Sequence, residues 1–405
     1  MHLTMLALGS TGDVLPYLAL GKGLKDAGYQ VRFASFQIFQ QRAVELGLDF
    51  HLIPGDPRFL VAQGGTNIFS MARSFGSLTK EYTKALSATS LLETDMIINQ
   101  LPGGMFGRDL AEKADIPMVL AAVIPLVPTG QFPMLGFPAF PVPGFNKLTY
   151  SLAEIAAWSL FGAGINRWRE EELGLPRLSR VDYFSHDWLV LNGFSSKVVH
   201  RPPEWDQRVQ ITGYWFPEDP SWKPPLSLEE FLARGKAPIF IGFGSNPIKD
   251  PAQITETILL AIKRSGQRAV LHSGWAGLGS INLPEDIYLL DYAPYDWLFP
   301  KMAMVIHHGG SGTTGFGLRA GVPSCAVPVG FDQKFWGERI ADLGAGPEPV
   351  VLAKLTTERL CHMIQQGIGN EHFRHQAQKI GRELRQEEGI ARAVRTISGK
   401  LSEPE

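Results

Sequence analysis

Three short stretches of this 405-residue chain carry residue types that could do chemistry. The first is HHGGSGTTGFG, residues 307–317, which follows an apolar run. Small residues there let backbone N–H groups approach a ligand, Ser311, Thr313 and Thr314 add hydroxyls, and a helix start adds a positive dipole end. His308, Gly310, Ser311, Gly312 and Thr313 therefore read as a cradle for phosphate or pyrophosphate. The plainer alternative is a tight turn with a Ser/Thr cap and core histidines. The second stretch is GFDQKFW, 330–336. Asp332 and Gln333 together offer carboxylate and amide acceptors plus amide donors, a set that suits adjacent sugar hydroxyls; alone, Asp332 also reads as a helix cap. The third is GSTGDVLP, 9–16, where an apolar run ends and Asp13 opens a helix. Asp13 is either a helix cap, with Pro16 in the first helical turn, or a base facing a substrate. One carboxylate oxygen could serve each role. With an ordinary pKa of about 3.9, further favoured as an anion by a helix N-terminus, Asp13 is expected to be ionised but a weak base.

These residues must be positioned by something, and the pattern around them says what. LTMLAL (3–8), YQVRFAS (29–35), LDFHLIP (48–54), DMIINQ (95–100) and PMVLAAV (117–123) read as strands separated by helical segments. The alternation restarts at APIFIGFGS (237–245) and continues through QRAVLHS, IYLLDYAP, MAMVIHH and PSCAVPVG. Strands alternating with helices imply parallel sheets covered on both faces. The fold expected is α/β, with two doubly wound parallel-sheet domains facing across a cleft. Ligands in such sheets sit beyond the carboxyl ends of strands, where every glycine loop above falls. The expected division is 1–215, a Pro-rich linker 216–236, a second domain 237–385 and a helical tail 386–405.

Composition narrows the function classes. The net charge of −2 supplies no basic field for nucleic acid, and 44% hydrophobic with 19% charged residues is ordinary for a globular chain. Cys325 and Cys361 form no CxxC pair, so neither a disulfide framework nor a zinc site is expected. The start of the chain lacks a cationic segment and cleavage motif, and no uninterrupted apolar run reaches about 18 residues, so neither a signal peptide nor a spanning helix is expected. No GxSxG elbow is present, which ranks a serine hydrolase low.

Gly310, Gly312 and Gly315 spell GxGxxG, with Asp332 about 20 residues on, which mimics a dinucleotide fingerprint. An NAD(P)- or FAD-dependent oxidoreductase is therefore the competing reading. Against it, this loop falls late in the second half and not on that half's first strand.

Taken together, GSTGDVLPYLALGKGL, the FGS at 243–245, DYAPYDWLFP at 291–300, HHGGSGTT at 307–314 and GFDQKFWGERI at 330–340 resemble the GT-B, family 1 glycosyltransferases. The nearest likeness is to the sterol glucosyltransferase and bacterial natural-product glucosyltransferase branch. The resemblance spans nearly the whole chain. It implies that Ser245, His308, Gly310, Ser311, Gly312 and Thr313 bind the donor diphosphate. Tyr292, Ala293 and Pro294 would flank the nucleoside, although plant members carry Trp where Tyr292 aligns. Asp332 and Gln333 would bind the donor sugar. Many members have His where Asp13 stands, so Asp13 would be the general base. Ser10, Thr11 and Gly12 would lie near donor and acceptor. The implied reaction is inverting transfer of a hexose, glucose from UDP-glucose first, without a metal, since no DxD motif stands in the loops. The implied acceptor is a hydrophobic alcohol such as a sterol, triterpenoid or polyketide. Phe132, Met134, Phe137 and Phe140, in the Pro- and Phe-rich segment 124–146, would wall its pocket or else pack the first domain. The expected location is cytoplasmic, with peripheral membrane contact left open.

Overall fold

The computed structural model describes residues 1–56, 85–86, 94–101, 106–185, 188–244, 248, 250–274 and 283–402. They form two compact units. The first comprises Met1–Ser196, His200–Pro217 and Glu388–Glu405; the second comprises Lys197–Val199 and Glu218–Glu387.

The first unit is built on seven parallel strands in the order β3-β2-β1-β4-β5-β6-β7. These are β1 His2–Leu6, β2 Gln30–Phe36, β3 Asp49–Ile53, β4 Met96–Leu101, β5 Met118–Ala122, β6 Leu189–Asn192 and β7 Val209–Ile211. The central strands are apolar on both faces, as a sheet covered on both sides requires; Leu3, Met5, Phe33, Ile97 and Val119 are fully buried or nearly so. The chain starts in the middle at β1, winds outward to β3, then crosses to β4 and winds the other way. The switch point therefore lies between β1 and β4.

Helix Thr11–Asp26 follows β1 and meets helix Gly389–Ser402 at Gly23, where a Cβ would come within 2.3 Å of Ile390. Tyr29 also donates to Ser398 at 2.8 Å. Helix Phe145–Trp168 carries Thr149, Tyr150, Gly162, Ile165 and Trp168 on its buried side. Continued to Leu173, it is the one described helix long and apolar enough to cross a membrane by length and composition. It ends in a wider turn that brings the buried Arg169 onto Asp109 and Glu112 of helix Gly107–Ala114.

The second unit repeats the plan with five parallel strands in the order β10-β9-β8-β11-β12. They are β8 Ile239–Gly242, β9 Ala269–His272, β10 Ile287–Leu290, β11 Met304–His307 and β12 Ser324–Ala326. Again the first strand is central, and the switch point falls between β8 and β11. One face packs Ile239, Ile241, Leu271 and Ile306 against helices Pro251–Ser265 and Thr357–Gly369. The opposite face packs Phe240, Val270 and Val305 under Phe299, Leu298, Leu228 and Phe231. Fully burying each large apolar side chain contributes about 1.5–3 kcal/mol, which makes this floor stiff. Residues 216–236, read from sequence as a linker, include helix Leu226–Ala233, whose Leu228 and Phe231 belong to that core.

Candidate functional site

In the first unit, β1 ends at Leu6 and the chain turns through Ala7–Ser10 into helix Thr11–Asp26, beside the switch point. Ser10, not Asp13, is the N-cap. Asp13 stands at the third helical position and closes a capping box: its Oδ2 accepts the Ser10 N–H at 2.8 Å and the Ser10 hydroxyl at 2.7 Å. Oδ1 accepts no hydrogen bond from the described residues. The capping role and a second, unoccupied oxygen thus coexist on one side chain. Gly9 makes this possible, because its φ is 144° and a Cβ there would sit 2.8 Å from the Asp13 carboxylate.

The electrostatics of Asp13 differ from the sequence expectation. Burial raises its pKa from the ordinary aspartate range, with the two Ser10 bonds pulling back. Desolvation outweighs the helix end, so Asp13 is a better base than its residue type implies. Pro16 also stands elsewhere than expected. It lies inside the helix, past the first turn, so the carbonyl of the exposed Gly12 has no N–H four residues on to receive.

Two residues that sequence reasoning passed over hold this turn. Gln100, buried on β4, accepts the Leu8 N–H at 2.5 Å and donates to the Asp13 carbonyl at 3.1 Å, spanning the switch point. Tyr17, one turn after Asp13, donates to the Ala121 carbonyl at 2.8 Å and meets Trp215 edge-on. A polar residue ending an apolar strand was the only available sign of Gln100.

In the second unit the strand ends form one row: Leu290, His272, Gly242, His307 and Ala326 are in register across β10, β9, β8, β11 and β12. Beyond the row come the loops of interest. Helix Ser311–Ala320 starts with Gly310 as N-cap, and its first intrahelical bond is from Thr314 N–H to the Gly310 carbonyl at 2.9 Å. The N–H groups of Ser311, Gly312 and Thr313 therefore emerge at the helix end, and Gly310 has no side chain to cap them. The His308 ring is wedged between two glycines. A Cβ on Gly310 would lie 2.5 Å from its Nε2, and one on Gly244 would lie 2.9 Å from its Cε1. Burial first, and His272 second, lower the His308 pKa to about 4, so the imidazole is neutral. His307 is fully buried, and its Nδ1 accepts the Gly309 N–H at 3.0 Å.

Among the described residues of this unit, five buried side-chain polar atoms have no hydrogen-bond partner. Four of them are on His272, His307, His308 and Thr314. Buried polar groups are normally satisfied, so four orphans at one set of strand ends mark a place prepared for a polar ligand.

The remaining residues fall around this row. Tyr292 is exposed and donates to Asp219 at 2.9 Å; Ala293 is buried, and Pro294 caps helix Tyr295–Leu298. Gly309 lies against the Gln333 carbonyl, which brings the phosphate-type loop and the Asp332–Gln333 pair together. Asp332 occupies the N-cap position of helix Gln333–Asp342 without a side-chain cap bond; its Oδ2 instead accepts the Trp336 indole at 2.8 Å. The Gln333 side-chain oxygen is committed to its own loop, accepting from Val329 and Gly330 at 2.7 and 3.2 Å. Just before them, Phe331 is exposed with a φ of 48°, a left-handed conformation that a bulky residue rarely adopts. Ser245 lies outside the described residues.

The aromatic segment of the first unit divides. Phe132 is buried and Met134 half-buried, its N–H donating to Thr149 at 2.8 Å. Phe137 and Phe140 face outward, Phe140 packing edge-on against Phe145.

The doubly wound pair of sheets with glycine loops at their switch points is that of a GT-B-type protein. A family model described as the glycosyltransferase family 28 N-terminal domain matches residues 3–129. Another, described as the erythromycin biosynthesis protein CIII-like C-terminal domain, matches residues 268–394. The chain is 33% identical over 422 residues to the sterol 3-beta-glucosyltransferase of Gibberella zeae, covering 98% of this chain and 29% of that protein. It thus spans less than a third of the length of this curated relative. Among solved structures, the glycotransferase of kitacinnamycin matches with a TM-score of 0.77 at 19% identity, covering 99% of both chains. The glycosyltransferase VinC, in complex with DTDP, matches with a TM-score of 0.69 at 18% identity, covering 99% of this chain and 98% of that one. The chain belongs to the family 1 GT-B glycosyltransferases. A dinucleotide-dependent oxidoreductase is not favoured: the GxGxxG run follows β11 and not the unit's first strand.

Proposed function

We propose that this protein is an inverting hexosyltransferase that moves a sugar, glucose first, from a nucleotide-diphosphate donor to the hydroxyl of a hydrophobic acceptor. The observation that carries the reading is the cluster of unpartnered polar atoms around the uncapped start of helix Ser311–Ala320. The donor's diphosphate would meet His308, Gly310, Ser311, Gly312 and Thr313, with Ser245 beside them. Developing charge on the leaving group would be met by N–H donors, the helix end and imidazole, in the manner of an oxyanion hole. Tyr292, Ala293 and Pro294 would flank the nucleoside, with uracil or thymine as the base; the thymidine diphosphate of the VinC complex supports keeping both. The Asp332 carboxylate and the Gln333 amide would meet the sugar hydroxyls.

In the chemical step the acceptor oxygen attacks the anomeric carbon while the bond from that carbon to the diphosphate oxygen breaks. The hydroxyl proton passes to Oδ1 of Asp13, and Oδ2 stays on Ser10. A single displacement inverts the anomeric centre, giving a β-glycoside from an α-linked donor. The raised pKa of Asp13 supports this assignment.

A hydrophobic acceptor, sterol-like by the likeness to sterol glucosyltransferases, accords with the first unit's surface. Leu148, Leu152 and Ile155 are exposed on one stripe of helix Phe145–Trp168, next to the exposed Phe137, Phe140 and Val142. That face would rest on a lipid surface, as expected of a membrane-peripheral protein.

Asp13→Asn is the direct test. Asn can still accept from Ser10, so folding and nucleotide binding should persist, while turnover with UDP-glucose should fall by about 10²–10⁴-fold, the usual general-base contribution. Wild-type turnover in this variant would remove Asp13 from the mechanism.

A further inference from the structure

Three neighbouring strands of the second sheet leave the row in the same way. Gly242, His272 and His307 are in register, and two residues later each strand reaches a glycine of positive φ: Gly244 at 60°, Gly274 at 50° and Gly309 at 92°. Residues in register share a face, so the His272 and His307 side chains stand on either side of Gly242, the position without one. Gly242 has no room for more, since a Cβ there would lie 2.9 Å from that of His272 and 2.8 Å from the Phe240 ring.

The two histidines are committed differently. His307 is fully buried and spends its Nδ1 on the Gly309 N–H, so one of its nitrogens is committed to the turn while Nε2 has no partner. His272 is half-buried. A hydrogen bond with the Asp291 backbone engages its ring, and its buried Nδ1 has no partner. That Nδ1 lies 3.4 Å from where a Cβ on Gly274 would stand. Gly274 packs on the Gly244 carbonyl, and Gly244 packs on the His308 ring, whose Nδ1 is also without a partner. Two imidazoles with unsatisfied nitrogens thus flank a layer of two glycines, close enough for His272 to bear on the charge of His308.

We propose that His272 is a second imidazole ligand of the anion taken by the 308–313 loop, so that His272 and His308 hold the donor's diphosphate as a pair. The proposal rests on the glycosyltransferase reading. Each imidazole takes a proton from solvent when the anion binds and becomes a charged donor to a phosphate oxygen. Without the anion the neutral form of each is favoured: burial depresses the pKa of each, and the Asp291 backbone and carboxylate only partly oppose this at His272. Among the described residues, the other rings facing His272 are Tyr295 on helix Tyr295–Leu298 and Phe240 on β8. Neither carries charge at neutral pH, so the anion supplies what drives protonation.

The experiment is titration of the full chain with UDP and with TDP by calorimetry at pH 6.5, in two buffers of different ionisation heat. Wild type should bind one of them with net proton uptake. His272→Asn, which keeps a polar atom near Nδ1 but cannot be protonated, should take up fewer protons and bind about tenfold more weakly or worse, the loss expected for a hydrogen bond to a charged group. Imidazole ¹⁵N spectra of the wild-type chain, which require no variant to fold, should show two histidines becoming imidazolium on nucleotide binding. If nucleotide binds but His272→Asn keeps wild-type affinity and uptake, or if only one imidazole changes state, the inference about His272 falls and the transferase reading stands. If neither nucleotide binds to wild type, both fall.

Discussion

Phe331 shows how a single residue can record function in its backbone. A non-glycine residue held at φ 48° costs of order 1–3 kcal/mol, and the cost persists only where the surroundings impose it. Here it precedes Asp332 and Gln333, whose side chains are themselves tied down by Trp336, Val329 and Gly330. The strained residue presets the pair that would meet the sugar. Phe331→Gly should therefore raise the Tm, or leave it unchanged, while lowering kcat/KM for the sugar donor. Thermal denaturation and initial rates check this together, and a lower Tm would show that no strain is stored there. Asp13 is the counterpart in the first unit, where residue type and position were legible in GSTGDVLP. Its raised pKa was not, because desolvation depends on what the rest of the unit packs around it.

At the scale of elements, the joint between helix Gly107–Ala114 and the end of helix Phe145–Trp168 is an ion cluster. Arg169 and Asp109 are fully buried, Glu112 partly so, and the Arg169 Nε also reaches the Pro176 carbonyl at 2.8 Å. Desolvation raises Asp109 to about 6 in spite of the Arg169 hydrogen bond, while Arg169 holds Glu112 low. The sign follows. An acid whose folded pKa exceeds its unfolded value binds more protons when folded, so its contribution weakens as pH rises from about 4 to 6. Asp109→Asn lacks this penalty. Relative to wild type, the variant should gain stability as pH rises across that window, by at most about 3 kcal/mol at 1.36 kcal/mol per pKa unit. Denaturant melts of both proteins at pH 4.5 and 7 measure the difference; a constant offset would mean that Asp109 does not titrate there. The alternation of apolar runs announced both helices, but not that a basic and an acidic residue about 60 positions apart would meet inside the unit.

At the scale of the molecule, the exposed apolar stripe of helix Phe145–Trp168 is the feature with the widest consequence. Single exposed apolar residues are unremarkable, whereas a contiguous set marks an interaction surface. If the face rests on lipid, sterol-containing vesicles should pull down the wild-type chain, and Leu152→Glu with Ile155→Glu should stay in the supernatant. The paired variant should keep wild-type affinity for nucleotide, since the loops proposed to take the nucleotide belong to the other unit. Equal sedimentation of both proteins would leave the acceptor to be taken from solution.

Local patterns determined a good deal. Alternating apolar strands and helical segments specified two parallel sheets, and the parallel-sheet rule pointed to their carboxyl ends as the place to look for a ligand. The small residues of 309–313 announced a helix start without a side-chain cap, because small side chains let a ligand approach backbone N–H groups. What tertiary structure alone decided concerns residues brought together by register and crossover. His272, read as the end of an ordinary strand, comes near enough to bear on the charge of His308 only because β9, β8 and β11 are neighbours that end on one row. Gln100 reaches Asp13 only because β4 lies beside β1 across the switch point. Sequence spacing encodes the period of an element, but which elements become neighbours, and which charges lose water as they do, is settled by packing.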